Sequence, residues 1–179
     1  MTVKIVDPDT GMLQPVGKPG LLLVKGPNVM LGYLNMPDKT GEVLKDGWYN
    51  TGDIAKIDED GFVTITDRLS RFSKIGGEMV PHLAIEEELM CGLDVTEQVL
   101  AVSAISDEKK GERLVVLYTD QAGAVENLRE IMEKSRLPNL WKPHPESYYK
   151  IDRIPVLGTG KIDLQKLKTL ALRISGRAE

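Results

Sequence analysis

The sequence predicts an α+β protein with a small β-rich N-terminal subdomain, followed by a domain in which a small sheet is flanked by helices. Residues 1–67 consist of short strand-like runs separated by turn residues, whereas strand-like and helix-like patterns alternate beyond residue 68. The basic stretch DRLSRFSKIGG at 67–77 marks the change. We therefore expect two domains, at residues 1–67 and 68–179.

In the first domain, the runs VKIVD at 3–7 and LLLVKG at 21–26 read as strands, because they are rich in β-branched and aliphatic residues and are bounded by PDTG and KPG turns. DIAKID at 53–58 and FVTITD at 62–67 predict two further strands. The Asp-Gly pair of the intervening EDG favours a hairpin between them.

In the second domain, apolar spacing predicts three helices and β-rich runs predict three strands. Asp163 is positioned to cap the last helix. The predicted helices cover 81–93, 124–137 and 163–175, and the predicted strands cover 97–106, 112–120 and 147–156.

Composition excludes several function classes. The net charge of −4 and the pI near 5.3 argue against a nucleic-acid-binding protein. Cys91 is the sole cysteine, which excludes an intrachain disulfide and favours a reducing compartment. Two histidines and one cysteine far apart in sequence provide no zinc site, and the longest aliphatic run, LLLV, is too short to span a bilayer.

Lys161 follows a glycine-rich segment in IPVLGTGKID. The phosphate-binding pattern G-x-x-x-x-G-K-[ST] fails here, because Pro155 replaces the first glycine and Ile162 replaces the hydroxyl residue. Two interpretations remain open at this point. Lys161 is either a solvated surface lysine or a cation that neutralises charge on a carboxylate or phosphoryl group.

Two other stretches allow both a structural and a functional interpretation. Asp53 in TGD either completes a tight turn or accepts hydrogen bonds from ribose hydroxyls. Arg68, Arg71 and Lys74 fit a solvated edge strand. Gly76 and Gly77 interrupt a strand-like run, which indicates a bulge or a place where a ligand lies against bare backbone.

The order of these motifs resembles the C-terminal part of the adenylate-forming enzymes, which include acyl-CoA synthetases. The resemblance runs from GWYNTGDIAKIDEDGFVTITDRLSRFSKIGGEMVPHLAIEEEL to RIPVLGTGKID. Within that superfamily, RFSKIGGEMV and PVLGTGKID look most like the acyl–acyl-carrier-protein synthetase part of the bifunctional 2-acylglycerophosphoethanolamine acyltransferases. Residues 1–67 would then belong to a partial β-barrel of the large AMP-binding region, and 68–179 would form a mobile lid.

The resemblance implies a two-step ligase reaction that uses ATP with Mg²⁺. A fatty acid carboxylate attacks the α-phosphate of ATP. The thiol of a carrier protein's phosphopantetheine, or of coenzyme A, then displaces AMP.

It also implies roles for individual residues. Lys161 would bridge carboxylate and phosphate in the first step, and Asp53 and Arg68 would bind the nucleotide. Ser70 matches the hinge position, where the family more often has Asp or Lys. Lys74 would be auxiliary. Gly76 and Gly77 would line the pantetheine tunnel.

The same resemblance implies that the phosphate loop, the acyl pocket and most of the ATP and Mg²⁺ site lie in a missing N-terminal region. We therefore expect these 179 residues to be an inactive piece of a longer enzyme, whose partner is acyl carrier protein. We expect a cytoplasmic enzyme, with the inner membrane as the alternative site of the full-length protein. The rival hypotheses are a non-catalytic carrier-protein-binding module, docked through the basic stretch, and a ligase that uses coenzyme A.

Overall fold

The computed structural model describes residues 1–176 of the chain. Ten strands and four helices occur in these residues. The strands are β1 (Thr2–Val6), β2 (Gly20–Lys25), β3 (Leu44–Lys45), β4 (Trp48–Ile57), β5 (Val63–Arg68), β6 (Phe72–Ile75), β7 (Glu78–Pro81), β8 (Leu100–Asp107), β9 (Gly111–Tyr118) and β10 (Tyr148–Lys150). The helices are α1 (Pro37–Val43), α2 (His82–Leu93), α3 (Val125–Lys134) and α4 (Leu164–Ile174).

The chain divides into a first unit, Met1–Leu69, and a second unit that begins at Ser70. This boundary lies two residues after the one we place at 67/68. A 3-10 turn at Leu69–Arg71 spans it.

The first unit is built on a five-stranded antiparallel sheet with the order β1-β2-β4-β3, to which β5 is added along β4. Ile5 and Leu22 lie opposite each other on β1 and β2, and both pack with Ala55 of β4 in a small buried core. β5 pairs with the second half of β4, and five of its six residues are exposed. The position of β5 along β4 sets Asp53 opposite Arg68.

The second unit has a mixed sheet with the order β10-β9-β6-β7, and β8 pairs with β9 along its whole length. Its pairs are antiparallel except for β10, which runs parallel to β9.

Side chains alternate between the two faces of a strand, and both faces of β8 are buried. Leu100 and Val102 pack in the cluster that contains α2 and α3, whereas Ala101 and Ile105 pack against α4. Helices therefore cover this sheet on both sides.

These elements confirm the predicted α+β class and a second unit whose sheet is flanked by helices. One expectation for the first unit is wrong, because it is not entirely strand and turn. Helix α1 follows Met36, and Thr40 in its middle accepts a hydrogen bond from the Tyr33 N–H at 2.9 Å. Since α1 contains no buried residue, it shows no apolar periodicity from which it could have been recognised.

Within residues 1–176, no helix is both long enough and apolar enough to cross a membrane.

Candidate functional site

Asp53 and Arg68 form a cross-strand ion pair in the first unit. Arg68 Nε lies 3.0 Å from Asp53 Oδ1, and Arg68 Nη1 donates a hydrogen bond to the Thr51 carbonyl oxygen at 3.1 Å. The Asp53 side chain is 19% exposed, whereas the Arg68 side chain is 62% exposed. The pair thus holds a partly sheltered carboxylate at the surface of the sheet, beside a guanidinium that solvent can reach.

The TGD segment lies inside strand β4 and is not the tight turn that the sequence suggests. Gly52 has a φ of +72°, and the register with β5 shifts just beyond Asp53. The Gly52 N–H donates to Asn50 Oδ1 and the Asp53 N–H donates to Thr51 Oγ1, both at 3.0 Å. Side chains of Asn50 and Thr51 therefore stabilise this irregular backbone, and the Asp53 carboxylate is not needed for that purpose.

In the second unit, Arg71 forms an ion pair with Glu86 of α2. The side chains of Arg71 and Glu86 are 18% and 4% exposed, so the pair is largely buried. The second carboxylate oxygen of Glu86 accepts a hydrogen bond from the Val102 N–H at 2.8 Å. Glu86 thereby connects the start of the second unit, helix α2 and strand β8.

The basic stretch is consequently not a uniform patch of solvated cations. Arg68 is paired with a carboxylate on its own sheet, and Arg71 is paired and mostly buried. The Lys74 side chain is exposed, and the backbone N–H of Lys74 donates to Glu112 Oε2 at 2.7 Å. The charge available for docking an acidic partner is therefore smaller than the sequence indicates.

A second buried polar contact joins β6 to α2. Ser73 Oγ lies 2.6 Å from His82 Nε2, and both residues are buried. Burial, followed by the positive charges of Arg71 and Lys168, lowers the pKa of His82 to about 4. His82 is therefore neutral at pH 7 and contributes a hydrogen bond in place of a charge.

Gly76 and Gly77 form the two-residue turn between β6 and β7, flanked by the paired Ile75 and Glu78. Their φ values are +58° and +87°, and a positive φ at both central positions is typical of a type I′ turn. This turn gives a sufficient local reason for both glycines, in place of the bulge that the strand-like pattern suggests. A Cβ added to Gly77 would meet no atom within 4 Å, so the turn leaves open space beside it.

Lys161 ends a short hairpin. The Leu157 N–H donates to the Lys161 carbonyl oxygen at 2.8 Å, and the Gly160 N–H donates to the Leu157 carbonyl oxygen at 2.9 Å. Gly160 has a φ of +81°, as expected of the left-handed residue in a three-residue hairpin loop. The glycines thus fold a hydrogen-bonded turn, and this turn presents the exposed Lys161 side chain.

Asp163 caps α4, as predicted. Its Oδ1 accepts a hydrogen bond from the Lys166 N–H at 3.0 Å, and this bond is the main cause of the lowered pKa of Asp163. The Asp163 N–H donates to the Pro155 carbonyl oxygen at 2.9 Å. The hairpin that carries Lys161 is therefore attached directly to the first turn of α4.

The structure brings together some of the candidate residues. Asp53 and Arg68 are in direct contact in the first unit. In the second unit, Ser70 stands at the first position, Lys74, Gly76 and Gly77 belong to the β6–β7 hairpin, and Lys161 lies on another hairpin.

Sequence reasoning missed Glu86 and His82. The two residues share one face of α2 with Ile85 and Leu89, at spacings of three, four and seven residues from His82. Projecting the predicted helix onto its apolar face would have placed a carboxylate and an imidazole among buried side chains. That placement is the signal from which a polar contact inside the domain could have been predicted.

No protein-family profile matches the chain. Among curated proteins, it is 36% identical over 162 residues to a feruloyl-CoA synthase from Amycolatopsis, covering 89% of this chain and 32% of that protein. It is also 36% identical over 166 residues to a long-chain-fatty-acid–CoA ligase from Yersinia pestis, covering 93% of this chain and 29% of that protein. The chain thus spans about a third of the length of these relatives.

A solved structure shares the fold. The o-succinylbenzoate CoA synthetase of Bacillus subtilis, determined with its acyl-adenylate intermediate, superimposes with a TM-score of 0.74 at 27% identity, covering 93% of this chain and 33% of that one. Sequence and structure agree on the kind of protein to which this chain is related. The chain is a homologue of acyl- and aryl-CoA ligases.

Proposed function

We propose that the chain is the C-terminal part of an ATP-dependent ligase that activates a fatty acid as an acyl-adenylate and then transfers the acyl group to a thiol. The observation that carries this proposal is similarity over about nine-tenths of the chain to CoA ligases. The ordered motifs TGD, KIGGEMV and GTGKID support the same conclusion. Because the chain spans about a third of the length of its relatives, we assign this activity to a longer enzyme.

In the first half-reaction, an oxygen of the fatty acid carboxylate attacks the α-phosphorus of ATP, and pyrophosphate leaves. In the second, the sulfur of the acceptor attacks the acyl carbon, and AMP leaves. The resemblance stated above favours the phosphopantetheine thiol of an acyl carrier protein as acceptor. Coenzyme A is the second candidate, and it is favoured by the names of the relatives.

We assign the nucleotide ribose to Asp53. Arg68 engages Oδ1 of this carboxylate, so Oδ2 is the oxygen that we assign to a ribose hydroxyl. Partial burial supports this role, because a hydrogen bond to a charged acceptor is stronger where less water competes for it. We assign the exposed guanidinium of Arg68 to the ribose or phosphate edge of the same nucleotide.

We assign the electrostatic role in adenylation to Lys161. Its ammonium group would neutralise charge that develops between the substrate carboxylate and the α-phosphate. The hydrogen-bonded hairpin supports this role because it presents the side chain on a defined backbone. Gly76 and Gly77 would lie beside the pantetheine arm in the thioester step, with Lys74 as an auxiliary cation and Ser70 as the hinge.

Magnesium would enter with the ATP phosphates. Residues 1–176 contain no group of three or more histidine, cysteine or acidic side chains that could hold a metal ion. We propose that Mg²⁺ is held mainly outside this chain, together with the ATP phosphates.

The decisive experiment is Lys161→Ala in the full-length enzyme, with each half-reaction measured separately. We expect the rate of acyl-adenylate formation to fall by a factor on the order of 10²–10³. Release of pyrophosphate measures this rate. Thioester formation from supplied acyl-adenylate should largely survive. The control is Lys109→Ala, which removes an exposed lysine from the β8–β9 turn and should leave both rates unchanged.

An equal loss in both half-reactions of the Lys161 variant would contradict the assigned role. The acceptor is identified by supplying the wild-type enzyme with holo acyl carrier protein or with coenzyme A and comparing kcat/KM. A full-length protein that forms no acyl-adenylate with any fatty acid would refute the ligase proposal itself.

A further inference from the structure

The second unit contains a cavity of about 620 Å³ between α4 and the segment that follows β10. Residues 150–153 and Pro155 form one wall, and the face of α4 that carries Lys166, Leu170 and Arg173 forms the other. We call this cavity the α4 groove. Its volume is within the range of pockets that hold small organic ligands. Lys161 does not line it.

The α4 groove is strongly basic in a chain whose net charge is −4. Four cations line it, Lys150, Arg153, Lys166 and Arg173, against the single acidic residue Asp152. A concentration of one charge against the overall sign raises the local concentration of ligands of the opposite sign. The ligand that the groove would attract is therefore an anion.

Two of these cations are already engaged. Lys150 forms an ion pair with Asp120, and Lys166 Nζ lies 3.3 Å from Asp163 Oδ2.

The two arginines differ from the lysines in this respect. In the part of the chain that the structure describes, neither Arg153 nor Arg173 forms an ion pair, and both are exposed. A guanidinium group can donate two parallel hydrogen bonds to one phosphoryl group, and it is less strongly hydrated than an ammonium. Phosphate is thus the anion that these two side chains suit best.

The remaining lining combines apolar side chains with the polar Gln165 and Thr169. Ile151 is 7% exposed, and Leu170 and Ile174 of α4 continue the apolar lining. The groove therefore offers apolar surface beside its two arginines. An organic group that carries phosphates matches this arrangement better than a compact inorganic ion does.

We propose that the α4 groove binds a phosphorylated small molecule of nucleotide size, with Arg153 and Arg173 holding its phosphoryl groups and the apolar lining covering its organic part. This site is separate from the roles assigned to Asp53 and Lys161. It does not depend on the ligase function. An acidic protein segment is the competing occupant, but a concave cavity with an apolar lining favours a small molecule.

The test is a two-dimensional ¹H–¹⁵N NMR titration of the 179-residue chain with adenosine 3′,5′-bisphosphate, inorganic pyrophosphate and adenosine. We expect saturable shifts with the bisphosphate, confined to residues 150–155 and 164–174. The double variant Arg153→Gln/Arg173→Gln should weaken this binding at least tenfold. The charge-matched control, Lys109→Gln/Lys110→Gln on the β8–β9 turn, should retain wild-type affinity.

The proposal would be overturned by the absence of saturable shifts, by equal binding of adenosine, by equal binding of pyrophosphate, or by equal weakening in the control variant. Binding of an acidic carrier protein to this face without any response to the bisphosphate would also overturn it, in favour of protein docking. The spectrum of each variant reports directly whether it is folded.

Discussion

Acidification should destabilise the second unit through His82. The ring is buried, it contacts Ser73 Oγ, and the positive charges of Arg71 and Lys168 disfavour its protonation. These surroundings lower the pKa of His82 from 6.5 to about 4. The imidazole therefore stays neutral in the folded protein over a pH range in which the unfolded chain takes up a proton.

The sign and size of the effect follow from this difference. Between pH 6.5 and about 4 the unfolded state binds more protons at this residue, so the free energy of unfolding falls as the pH falls. A difference of about 2.5 pKa units, at 1.36 kcal/mol per unit, amounts to about 3 kcal/mol. The contribution is fully present above pH 6.5 and is lost below about pH 4.

Urea denaturation between pH 7 and pH 4 measures this contribution. In a Trp48→Phe background, fluorescence of the remaining Trp141 reports on the second unit. His82→Gln should reduce the pH dependence of unfolding by about 3 kcal/mol, since glutamine does not titrate. If His82→Gln retains the wild-type pH dependence, the inferred pKa of His82 is wrong.

Two further pairs of substitutions test the polar contacts and the glycine turn. Arg71→Leu removes the cation that pairs with the buried Glu86, and it should lower the free energy of unfolding by about 3–5 kcal/mol. Arg68→Leu changes a mostly exposed side chain, and it should lower the free energy of unfolding by about 1 kcal/mol or less. Equal losses in urea denaturation would contradict this account of burial. Gly77→Ala and Gly61→Ala, at φ of +87° and +84° with open space around each, should both cost about 1 kcal/mol. In the full-length enzyme, only Gly77→Ala should slow thioester formation, and an effect confined to stability would remove Gly77 from the tunnel.

Much of the fold could be predicted because the local signals agree with the packing. The alternating residues of β8 fill two cores on opposite faces of one sheet, and Asp163 caps α4 as its position before an apolar stripe indicates. Helix α1 could not be predicted in this way, since all of its side chains face solvent or are only partly covered. Gly76 and Gly77 carried a hairpin signal, but the continuous strand-like pattern around them favoured a bulge.

The candidate site was predictable as a set of residues and not as a set of contacts. The turn between β4 and β5 sets their starting register, because loop length fixes the pairing in a hairpin. No local pattern indicates the register shift between Ile54 and Ala55, and that shift is what sets Asp53 opposite Arg68. The sequence places Arg71 among solvated cations, because its partner, Glu86, lies on a helix that follows two more strands. Long-range pairing of this kind depends on tertiary packing.

Strand β5 makes the isolated chain prone to self-association. Val63 and Ile65 are 39% and 59% exposed, and β5 pairs only with β4 among the described residues. The outer backbone N–H and C=O groups of such an edge can pair with a strand of another molecule, and apolar side chains strengthen the contact. Thr64 and Thr66 provide no charge in the middle of this edge to oppose it. Aggregation of the purified chain at high concentration would then reflect intermolecular sheet extension along β5, with no requirement for unfolding.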